Sequence, residues 1–323
     1  MRSITLLNKP TSMNWQIFLE FVEIKTKLAS LMPMLAGFLW TINYYGHLNW
    51  LNTCIFFIAA IVFDMTVTAI NNTMDFYKAK DSDYKYQENV IGKFRLNFKQ
   101  MATLTVGLLI VSLIFSLILV ALTDGMLVLI GGIFYLIGIT YTFGPLPTSR
   151  TPLGEFLSGT TMGFGIFFLA VYVNRFDQLL ASEWTWLTIR LILHWQDLLV
   201  ILFMSLPFIA LIANIMLANN TCDLETDRKN HRYTLVHYLG KSQAIRLYQV
   251  LSLIPWICWV LYIFSGQLPF WALIGLLGIY PHYLSVQRFS QRQVKSETFV
   301  ESLKSFLLFS LIYNGMLFIS IFI

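Results

Sequence analysis

Two nearly identical five-residue motifs carry the side chains of this 323-residue chain that are best suited to chemistry. The first, at 71–75, reads Asn-Asn-Thr-Met-Asp, and the second, at 219–223, reads Asn-Asn-Thr-Cys-Asp. Four of the five positions are identical, so the chain contains an internal repeat. Carboxylate and amide oxygens suit a hard divalent cation, and Mg²⁺ in particular is held by one or two carboxylates together with substrate phosphates.

Helical spacing would gather these oxygens on one face of each motif. If each helix continues through its motif, Asn71 and Asp75 lie on one face, as do Asn219, Asp223 and Asp227, because residues four apart are neighbours. A further acid, Asp81, follows the first motif. The candidate metal ligands are Asn71, Asp75, Asp81, Asn219, Asp223 and Asp227.

The composition places these motifs in a membrane protein. Of the residues, 57% are hydrophobic and only 12% are charged, and the charged share is about half that of a soluble domain. A soluble core cannot hide so many apolar side chains, whereas lipid accepts them on the outside of every helix. The net charge of +5 gives no reason to expect a nucleic-acid partner. The expected environment is therefore the lipid bilayer.

Apolar runs of roughly 20 residues, long enough to cross a bilayer core as helices, recur along the chain. Their number predicts an all-α polytopic membrane protein with nine spans, in a single membrane domain over residues 1–323. The predicted spans are Leu28–Tyr45, Leu51–Ile70, Met101–Leu122, Met126–Phe143, Phe156–Val173, Leu198–Leu217, Leu247–Ser265, Leu268–Val286 and Phe306–Ile323.

Basic residues predict how these spans are oriented. With the N-terminus inside, all of the 22 Lys and Arg residues except Arg175 and Arg190 fall on the cytoplasmic side, as the positive-inside rule requires. The C-terminus at Ile323 is then outside. The segment from Trp15 to Val22 is expected to lie flat on the inner membrane surface. The main cytoplasmic segments are the N-terminal residues 1–27 and two cap loops, 76–99 and 221–246.

The two motifs follow spans that are four apart, so those spans run in the same direction. This arrangement is a parallel repeat, related by an axis along the membrane normal. Helix caps and solvated loops would account for one such motif. Two copies at equivalent helix ends favour a functional site, because acids that enter a membrane fold are costly. Surrounding cations would receive a metal-bound diphosphate. These cations are Lys78, Lys80, Lys85, Lys93, Arg95, Arg228, Lys229 and Arg232.

At these residues the sequence resembles the UbiA superfamily of intramembrane aromatic prenyltransferases, and most closely its 1,4-dihydroxy-2-naphthoate polyprenyltransferase branch. In the first motif of that branch an Asp stands where this chain has Asn72, and in the second an Arg and a Gly stand at Cys222 and His231. Two further stretches resemble the branch. They are Lys25-Thr26 with Pro33 and Gly37, and Tyr141-Thr142-Phe143-Gly144-Pro145 with Leu153-Gly154-Glu155.

The resemblance implies a Mg²⁺-dependent transfer of a polyprenyl group from an allylic polyprenyl diphosphate to an aromatic acceptor, in a bacterial cytoplasmic membrane. It implies that Asp75, Asp223 and Asp227 act in catalysis as the main metal ligands. It makes Lys25 the favoured diphosphate contact, with Lys80 and Arg232 as secondary candidates.

Several membrane residues have two explanations at this stage. Tyr141, at the inner end of the fourth span, would lay its ring against an allylic cation or serve as an interfacial aromatic. Asp64 is the only formal charge inside a predicted span, and helical spacing puts it on the same face as Thr68, Asn71 and Asp75. It would contact the acceptor substrate or accept a proton, or it would bond to a neighbouring helix. Glycines in the fourth and fifth spans would admit an isoprenoid tail or permit close helix packing. They are Gly131, Gly132, Gly138, Gly159, Gly163 and Gly165.

Other functions share some of these features. A secondary transporter also combines repeats with membrane acids, but its site lies near the bilayer midplane, commonly in inverted repeats. Within the superfamily, 4-hydroxybenzoate, haem and a glycerol phosphate are alternative acceptors, while the Lys25-Thr26 and Tyr141 to Pro145 features favour the naphthoate. Asn214, His282 and Asn314 are expected to be polar links between helices.

Overall fold

The computed structural model describes residues 13–79, 82, 84–144, 147–229 and 231–323, and these are overwhelmingly helical. The α-helices are α1 Trp15–Phe21, α2 Leu28–Tyr45, α3 Trp50–Lys78, α4 Val90–Lys93, α5 Phe98–Leu122, α6 Met126–Thr142, α7 Gly154–Ser158, α8 Ile166–Leu179, α9 Trp195–Cys222, α10 Leu224–Lys229, α11 Leu235–Leu239, α12 Lys241–Phe264, α13 Ile279–Gln291 and α14 Phe299–Ser320. A π-helix at Gly159–Gly165 joins α7 to α8, and a second lies at Tyr84–Glu88. Shorter 3₁₀ turns lie at Ile24–Lys27, Thr148–Arg150 and Phe270–Gly278.

Each of the nine predicted spans falls on helical structure, but fewer than nine of the described helices are both long and apolar enough to cross a membrane. Six helices in the described part of the chain are long and apolar enough to cross a membrane, and Met126–Thr142 is a shorter apolar helix. The motif-bearing helices are longer than predicted. Both α3 and α9 continue beyond the apolar run, so the Asn-Asn-Thr segments are helical. The second lies in the last turn of α9, and the first lies about two turns before the end of α3.

Asparagine side chains set the starts of several helices. The Asn49 side chain accepts a hydrogen bond from Asn52 N at the start of α3, and the Asn97 side chain accepts from Lys99 N and Gln100 N at the start of α5. These bonds satisfy amides that have no partner within the helix. At the end of α2, Gly46 adopts a φ of 85°, a left-handed conformation that stops the helix at little steric cost.

The helices pack around one large apolar core with two smaller clusters beneath the motifs. In the core, Tyr313 Oη donates to the Met204 carbonyl over 3.0 Å. The predicted polar links are confirmed as contacts between helices. Asn214 donates to the Tyr248 carbonyl over 2.9 Å, Asn314 donates to the Met32 carbonyl over 3.3 Å, and His282 Nε2 lies 3.2 Å from the Ser252 carbonyl oxygen.

The helices α3 and α9 run in the same direction, as a parallel repeat requires. At one end, Arg150 forms an ion pair with Asp75 of the first motif and also acts electrostatically on Asp227, beyond the second. At the other end, Tyr44 Oη lies 3.2 Å from Asp197 Oδ1, close to the start of α9. Both motifs therefore lie at one end of the bundle, which we call the motif face. The other end is called the opposite face.

Two local features differ from a simple nine-helix arrangement. The segment from Trp15 to Val22 packs part of its apolar side against protein, since Phe21 and Val22 are completely buried against α3, α4 and α5, and its position flat on the membrane surface stays a prediction. Trp15 alone among the large apolar side chains of α1 is strongly exposed, at 70%. The chain also departs from the predicted all-α fold. On the opposite face, β1 (Leu180–Trp184) and β2 (Ile189–Leu193) form an antiparallel hairpin between α8 and α9.

Candidate active site

The side-chain oxygens of the second motif bind a lysine ammonium group. Lys295, from the segment between α13 and α14, donates to Asp223 Oδ2 over 2.5 Å and also to the side-chain oxygen of Asn219. Helix α9 brings these two residues together because Asn219 lies in its last turn and Asp223, four residues later, is its C-cap. The predicted pairing of Asn219 and Asp223 on one face is confirmed, and together their side-chain oxygens bind the positively charged ammonium of Lys295.

Asp227 lies one turn further on, in α10, and it is almost fully buried, with 3% exposure. Its Oδ1 lies 3.4 Å from Arg232 Nε, while its buried Oδ2 has no hydrogen-bond partner among the described residues. Burial raises the pKa of the Asp227 carboxyl, and the positive charge of Arg232 opposes that rise. A buried carboxylate oxygen without a donor is costly in the free protein and is available to a ligand.

Arg150 connects the two motifs. Its guanidinium Nη2 lies 3.9 Å from Asp75 Oδ1, and its charge also acts on Asp227. The position of Arg150 is fixed by the 3₁₀ turn Thr148–Arg150 and by its carbonyl, which accepts a hydrogen bond from Tyr233 N over 3.1 Å. A guanidinium shared by two acidic clusters is well placed to contact an anion that both clusters bind through metal.

The second asparagine of each motif has a positioning role that the sequence did not reveal. Asn72 is buried and donates its amide to the Phe21 carbonyl over 2.8 Å, with Glu23 Oε1 3.4 Å away. Asn220 is buried in the same way and donates to Glu155 Oε1 over 2.8 Å. The repeat therefore extends to a glutamate just before α2 and another at the start of α7. Asn72, where the resembling family has Asp, ties the chain before α2 to α3.

Asp64 forms an ion pair inside the membrane region with Lys27. The Lys27 Nζ lies 2.7 Å from Asp64 Oδ1 and also donates to Thr68 Oγ1 over 2.5 Å and to the Asp64 carbonyl over 3.1 Å. Ser30 donates to the second carboxylate oxygen. Because the side chains of Lys27 and Asp64 are 6% and 18% exposed, this is a largely buried, well-bonded pair. The predicted common face of Asp64 and Thr68 is confirmed.

An elongated apolar cavity of about 350 Å³ begins at this ion pair. Ser30, Asp64, Tyr141 and Ser158 line its end toward the motif face, and the remaining wall is almost entirely apolar. The wall residues on α6 run from Leu127 to Tyr141. At the rise of an α-helix they span about 21 Å, most of a bilayer core.

The glycines divide between the two explanations given above. Gly131 and Gly132 line the cavity, and a Cβ at either would meet nothing within 4 Å. Gly159 and Gly163 instead permit close packing on α9. A Cβ on Gly163 would come within 2.5 Å of the Ile209 amide nitrogen, and one on Gly159 within 2.6 Å of the Ile209 carbonyl oxygen. Packing therefore explains this second pair.

Tyr141 stands between the cavity and the second motif. Its ring lines the cavity, and Glu155 and Arg232 act electrostatically on its hydroxyl group. That hydroxyl is buried and makes no hydrogen bond of normal geometry within the part of the chain that the structure describes, although the Ser158 side chain lies beside it. Buried polar atoms in proteins are nearly always bonded, so an orphaned hydroxyl at a cavity wall is consistent with a ligand partner.

The remaining predicted residues fare unequally. Lys25 is exposed, whereas Lys27, two residues later, is buried against Asp64. Lys80 and Asp81 lie outside the described residues. In the sequence, Lys27, Arg150 and Lys295 stand out only as basic residues that indicate topology. For Lys27 a signal did exist, since an intramembrane acid such as Asp64 needs a cation. Lys295 is distant in sequence from the second motif and carries no such signal.

The donor set fits Mg²⁺ held jointly with a substrate. Within the described residues no three His, Cys, Asp or Glu side chains are grouped closely enough to hold a metal ion by themselves. Magnesium seldom uses an all-protein cage and takes one or two carboxylates with substrate phosphates and water. Asn219 and Asp223 already hold an ammonium group, and the orphaned Asp227 oxygen is a further donor. These oxygens therefore suit a diphosphate-bound divalent ion.

The fold and site define a membrane-embedded helical protein with paired aspartate motifs above an apolar cavity. The model of the UbiA prenyltransferase family matches residues 30–311, and the chain belongs to that family. It is similar to a 1,4-dihydroxy-2-naphthoate octaprenyltransferase of Bacillus subtilis (strain 168). The two are 24% identical over 280 residues, which cover 86% of this chain and 84% of the relative.

Solved structures share the fold over nearly the whole chain. One is a UbiA homologue from Archaeoglobus fulgidus bound to DMAPP and Mg²⁺, with a TM-score of 0.63 and 13% identity over 95% of this chain and 99% of that one. Another is a digeranylgeranylglyceryl phosphate synthase, with a TM-score of 0.64 and 16% identity over 95% and 99% of the two chains. At these identities the likeness concerns the fold alone.

Proposed function

We propose that the protein transfers a polyprenyl group from an allylic polyprenyl diphosphate to an aromatic acceptor, 1,4-dihydroxy-2-naphthoate, in a Mg²⁺-dependent reaction. The observation that carries this proposal is the position of the apolar cavity. It begins at Asp64 and Tyr141 on the motif side and extends about 21 Å along α6. An isoprenoid tail in that cavity would present its diphosphate to the two motifs.

The cations of the site bind and orient the diphosphate. Arg150 contacts it between the motifs, and Arg232 and Lys295 add fixed positive charge from the second motif side. Preorganised charge of this kind stabilises the negative charge that develops on the leaving group. Lys295 gives up its contact with Asn219 and Asp223 as the substrate binds, and its ammonium then faces phosphate oxygens instead.

Mg²⁺ would be held by Asn71 and Asp75 on one side and by Asn219, Asp223 and Asp227 on the other, and when bound it supplies Lewis-acid stabilisation of the departing diphosphate. Asp81 is a proposed additional ligand from the first motif side. The apolar cavity excludes water from the carbocation, and the ring of Tyr141 at its wall stabilises the positive charge.

The Lys27–Asp64 pair serves the acceptor. It lies at the cavity end near Tyr141, where an aromatic ring that attacks the prenyl carbon has to sit. Asp64 accepts a hydrogen bond from an acceptor hydroxyl, and Lys27 holds the carboxylate in place. Asp64→Asn is expected to slow turnover or raise the acceptor KM, with the KM for the prenyl diphosphate unchanged.

The decisive experiment compares acceptors with the purified protein in liposomes. A radiolabelled polyprenyl diphosphate and Mg²⁺ are supplied with 1,4-dihydroxy-2-naphthoate, 4-hydroxybenzoate or a glycerol phosphate. We expect label to appear in the naphthoate product. Carboxyl-labelled naphthoate shows whether CO₂ is released during transfer. Transfer to glycerol phosphate alone would contradict the acceptor while leaving the prenyltransferase class intact.

A matched pair of variants tests the metal site within the same assay. Asp223→Ala removes a proposed ligand, whereas Asp177→Ala removes an exposed acid on the opposite face. Activity is expected to fall only in the first variant, and chelation of the wild type is expected to reproduce that loss until Mg²⁺ is restored. Full activity in the presence of a chelator would exclude the metal-dependent mechanism.

We further propose that the motif face is cytoplasmic and that the C-terminus lies outside, in a bacterial cytoplasmic membrane. The distribution of Lys and Arg supports this orientation. Reporter fusions at Ile323 test it. A fusion that is active only in the cytoplasm would contradict the proposed orientation and the nine-span prediction together.

A further inference from the structure

The hairpin on the opposite face exposes apolar side chains where a water-facing hairpin would be polar. All five residues of β2, Ile189–Leu193, are exposed, and four of them are Ile or Leu. Trp184 at the end of β1 is 49% exposed. A half-buried strand alternates apolar and polar residues. β2 does not, so both of its faces meet an apolar environment.

The turn of the hairpin is its most apolar part. Thr185 N donates to the Thr188 carbonyl over 2.9 Å, and Thr188 N donates to Thr185 Oγ1 over 3.0 Å. These bonds leave Trp186 and Leu187 at the tip, with relative exposures of 103% and 95%. Two-residue hairpin turns favour Asn, Asp and Gly, which reach the required backbone angles easily. Trp and Leu are therefore not favoured at this tip by turn geometry, and neither side chain is stabilised by burial within the protein.

Contacts with the α5–α6 turn fix where this tip lies. Ser182 N donates to Asp124 Oδ2 over 2.8 Å, and the Ser182 hydroxyl donates to the other carboxylate oxygen. The indole of Trp184 lies against Gly125, where an added Cβ would come within 3.1 Å of its nitrogen. The hairpin therefore reaches from α8 to the start of α6.

The surface of α6 next to the hairpin is itself apolar. Leu129, Ile133 and Leu136, which lie away from the cavity, are 50%, 57% and 63% exposed, as expected of side chains that face lipid in a membrane helix. The apolar hairpin continues this surface at the level of the helix start, where the interface of the bilayer lies. Tryptophan is enriched at that depth because its ring is apolar and its N–H is polar.

We infer that the hairpin tip, Trp186 and Leu187, inserts into the phospholipid leaflet at the opposite face and ties the α5–α6 turn, at the far end of the cavity, to the membrane. The hairpin strands carry one acid and one base, Glu183 and Arg190, which are cross-strand partners 3.9 Å apart. Because these charges cancel, insertion depends on apolar contact and is independent of anionic lipid and of salt.

Fluorescence quenching of single tryptophans tests this inference in the full chain. The wild type and Trp186→Phe are reconstituted in phosphatidylcholine liposomes, and the difference between their emission spectra gives the signal of Trp186. Bromine atoms are placed on the lipid chains near the headgroups or near the bilayer centre, and iodide is added to the water. Trp259, which is completely buried in the core, supplies a matched control through Trp259→Phe.

We expect shallow bromines to remove most of the Trp186 signal, deep bromines to remove less, and iodide to have little effect. The Trp259 signal should respond weakly to all three. Replacing a third of the lipid with phosphatidylglycerol should leave the result unchanged. Strong quenching by iodide would place the tip in water and overturn the inference. Protection from both quenchers would also overturn it, since the tip would then be covered by protein such as a second copy.

Discussion

The buried pair formed by Lys27 and Asp64 gives the most quantitative prediction. Removing one member of such a pair leaves an uncompensated charge in a region with little water. The Lys27 Nζ makes three bonds of 2.5–3.1 Å, and the side chains of Lys27 and Asp64 are only 6% and 18% exposed, so water can do little to compensate for a lost partner. Breaking a buried pair from one side costs about 3–5 kcal/mol. We therefore expect Lys27→Met to lower the free energy of unfolding by that amount.

A double-mutant cycle separates the pair from the individual side chains. Asp64→Asn removes the charge with little change of shape, and the double variant removes both charges. The double variant leaves no unpaired charge buried. Its free energy of unfolding should therefore fall by less than the sum of the losses in the two single variants, with a coupling energy of about 1–3 kcal/mol. Unfolding in mixed micelles with increasing SDS, followed by near-ultraviolet circular dichroism, measures each free energy.

An exposed ion pair of the same chemistry provides the control. Lys93 Nζ lies 2.6 Å from Glu20 Oε1, nearly the same separation as in the buried pair, but both side chains are more than 40% exposed. Surface pairs are worth about 0–1 kcal/mol, so Lys93→Met should scarcely change stability. Equal losses in Lys27→Met and Lys93→Met, or a cycle with no coupling, would refute the reasoning that burial makes Lys27 and Asp64 one energetic unit.

Three further results are expected. Loss of any one proposed metal ligand, in Asp75→Ala, Asp223→Ala or Asp227→Ala, should reduce the transfer rate on the order of 100-fold. Double variants should be scarcely slower than single ones, because these carboxylates share one catalytic task. Initial rates with labelled diphosphate measure this, and additive losses would contradict it. Asn72→Asp introduces the residue that the resembling family has at this position. It should lower the free energy of unfolding by about 1–3 kcal/mol without raising activity, because an ionised Asp has no N–H for the Phe21 carbonyl. An SDS unfolding curve and rate assays measure both effects, and a gain of activity would contradict the prediction. Burial raises the folded-state pKa of Asp227 above its unfolded value, so acidification should abolish metal-dependent activity at a higher pH than it would for an ordinary carboxyl. The contribution of this group to stability is present at low pH and is lost as the pH rises through the folded-state pKa. Both effects are measured in pH profiles of the wild type and Asp227→Asn at saturating Mg²⁺.

The sequence by itself determined the membrane class, the helical repeat and the identity of the metal-binding candidates. These properties are local or periodic. An apolar run of about 20 residues implies a membrane helix wherever it packs, and a motif repeated after two spans of equal direction implies two sites on one face. Helical spacing was also sufficient to pair Asn219 with Asp223 and Asp64 with Thr68, since both pairs lie one turn apart in one helix.

The tertiary structure alone decided which cations face the acids. Lys25 and Lys27 are two residues apart and equally charged, yet only Lys27 is buried, because the turn before α2 directs it toward α3. Lys295 meets the second motif from a segment 72 residues later in the chain. The roles of Asn72 and Asn220 were likewise hidden. Such contacts depend on how helices far apart in sequence pack together, and helical periodicity carries no information about that packing.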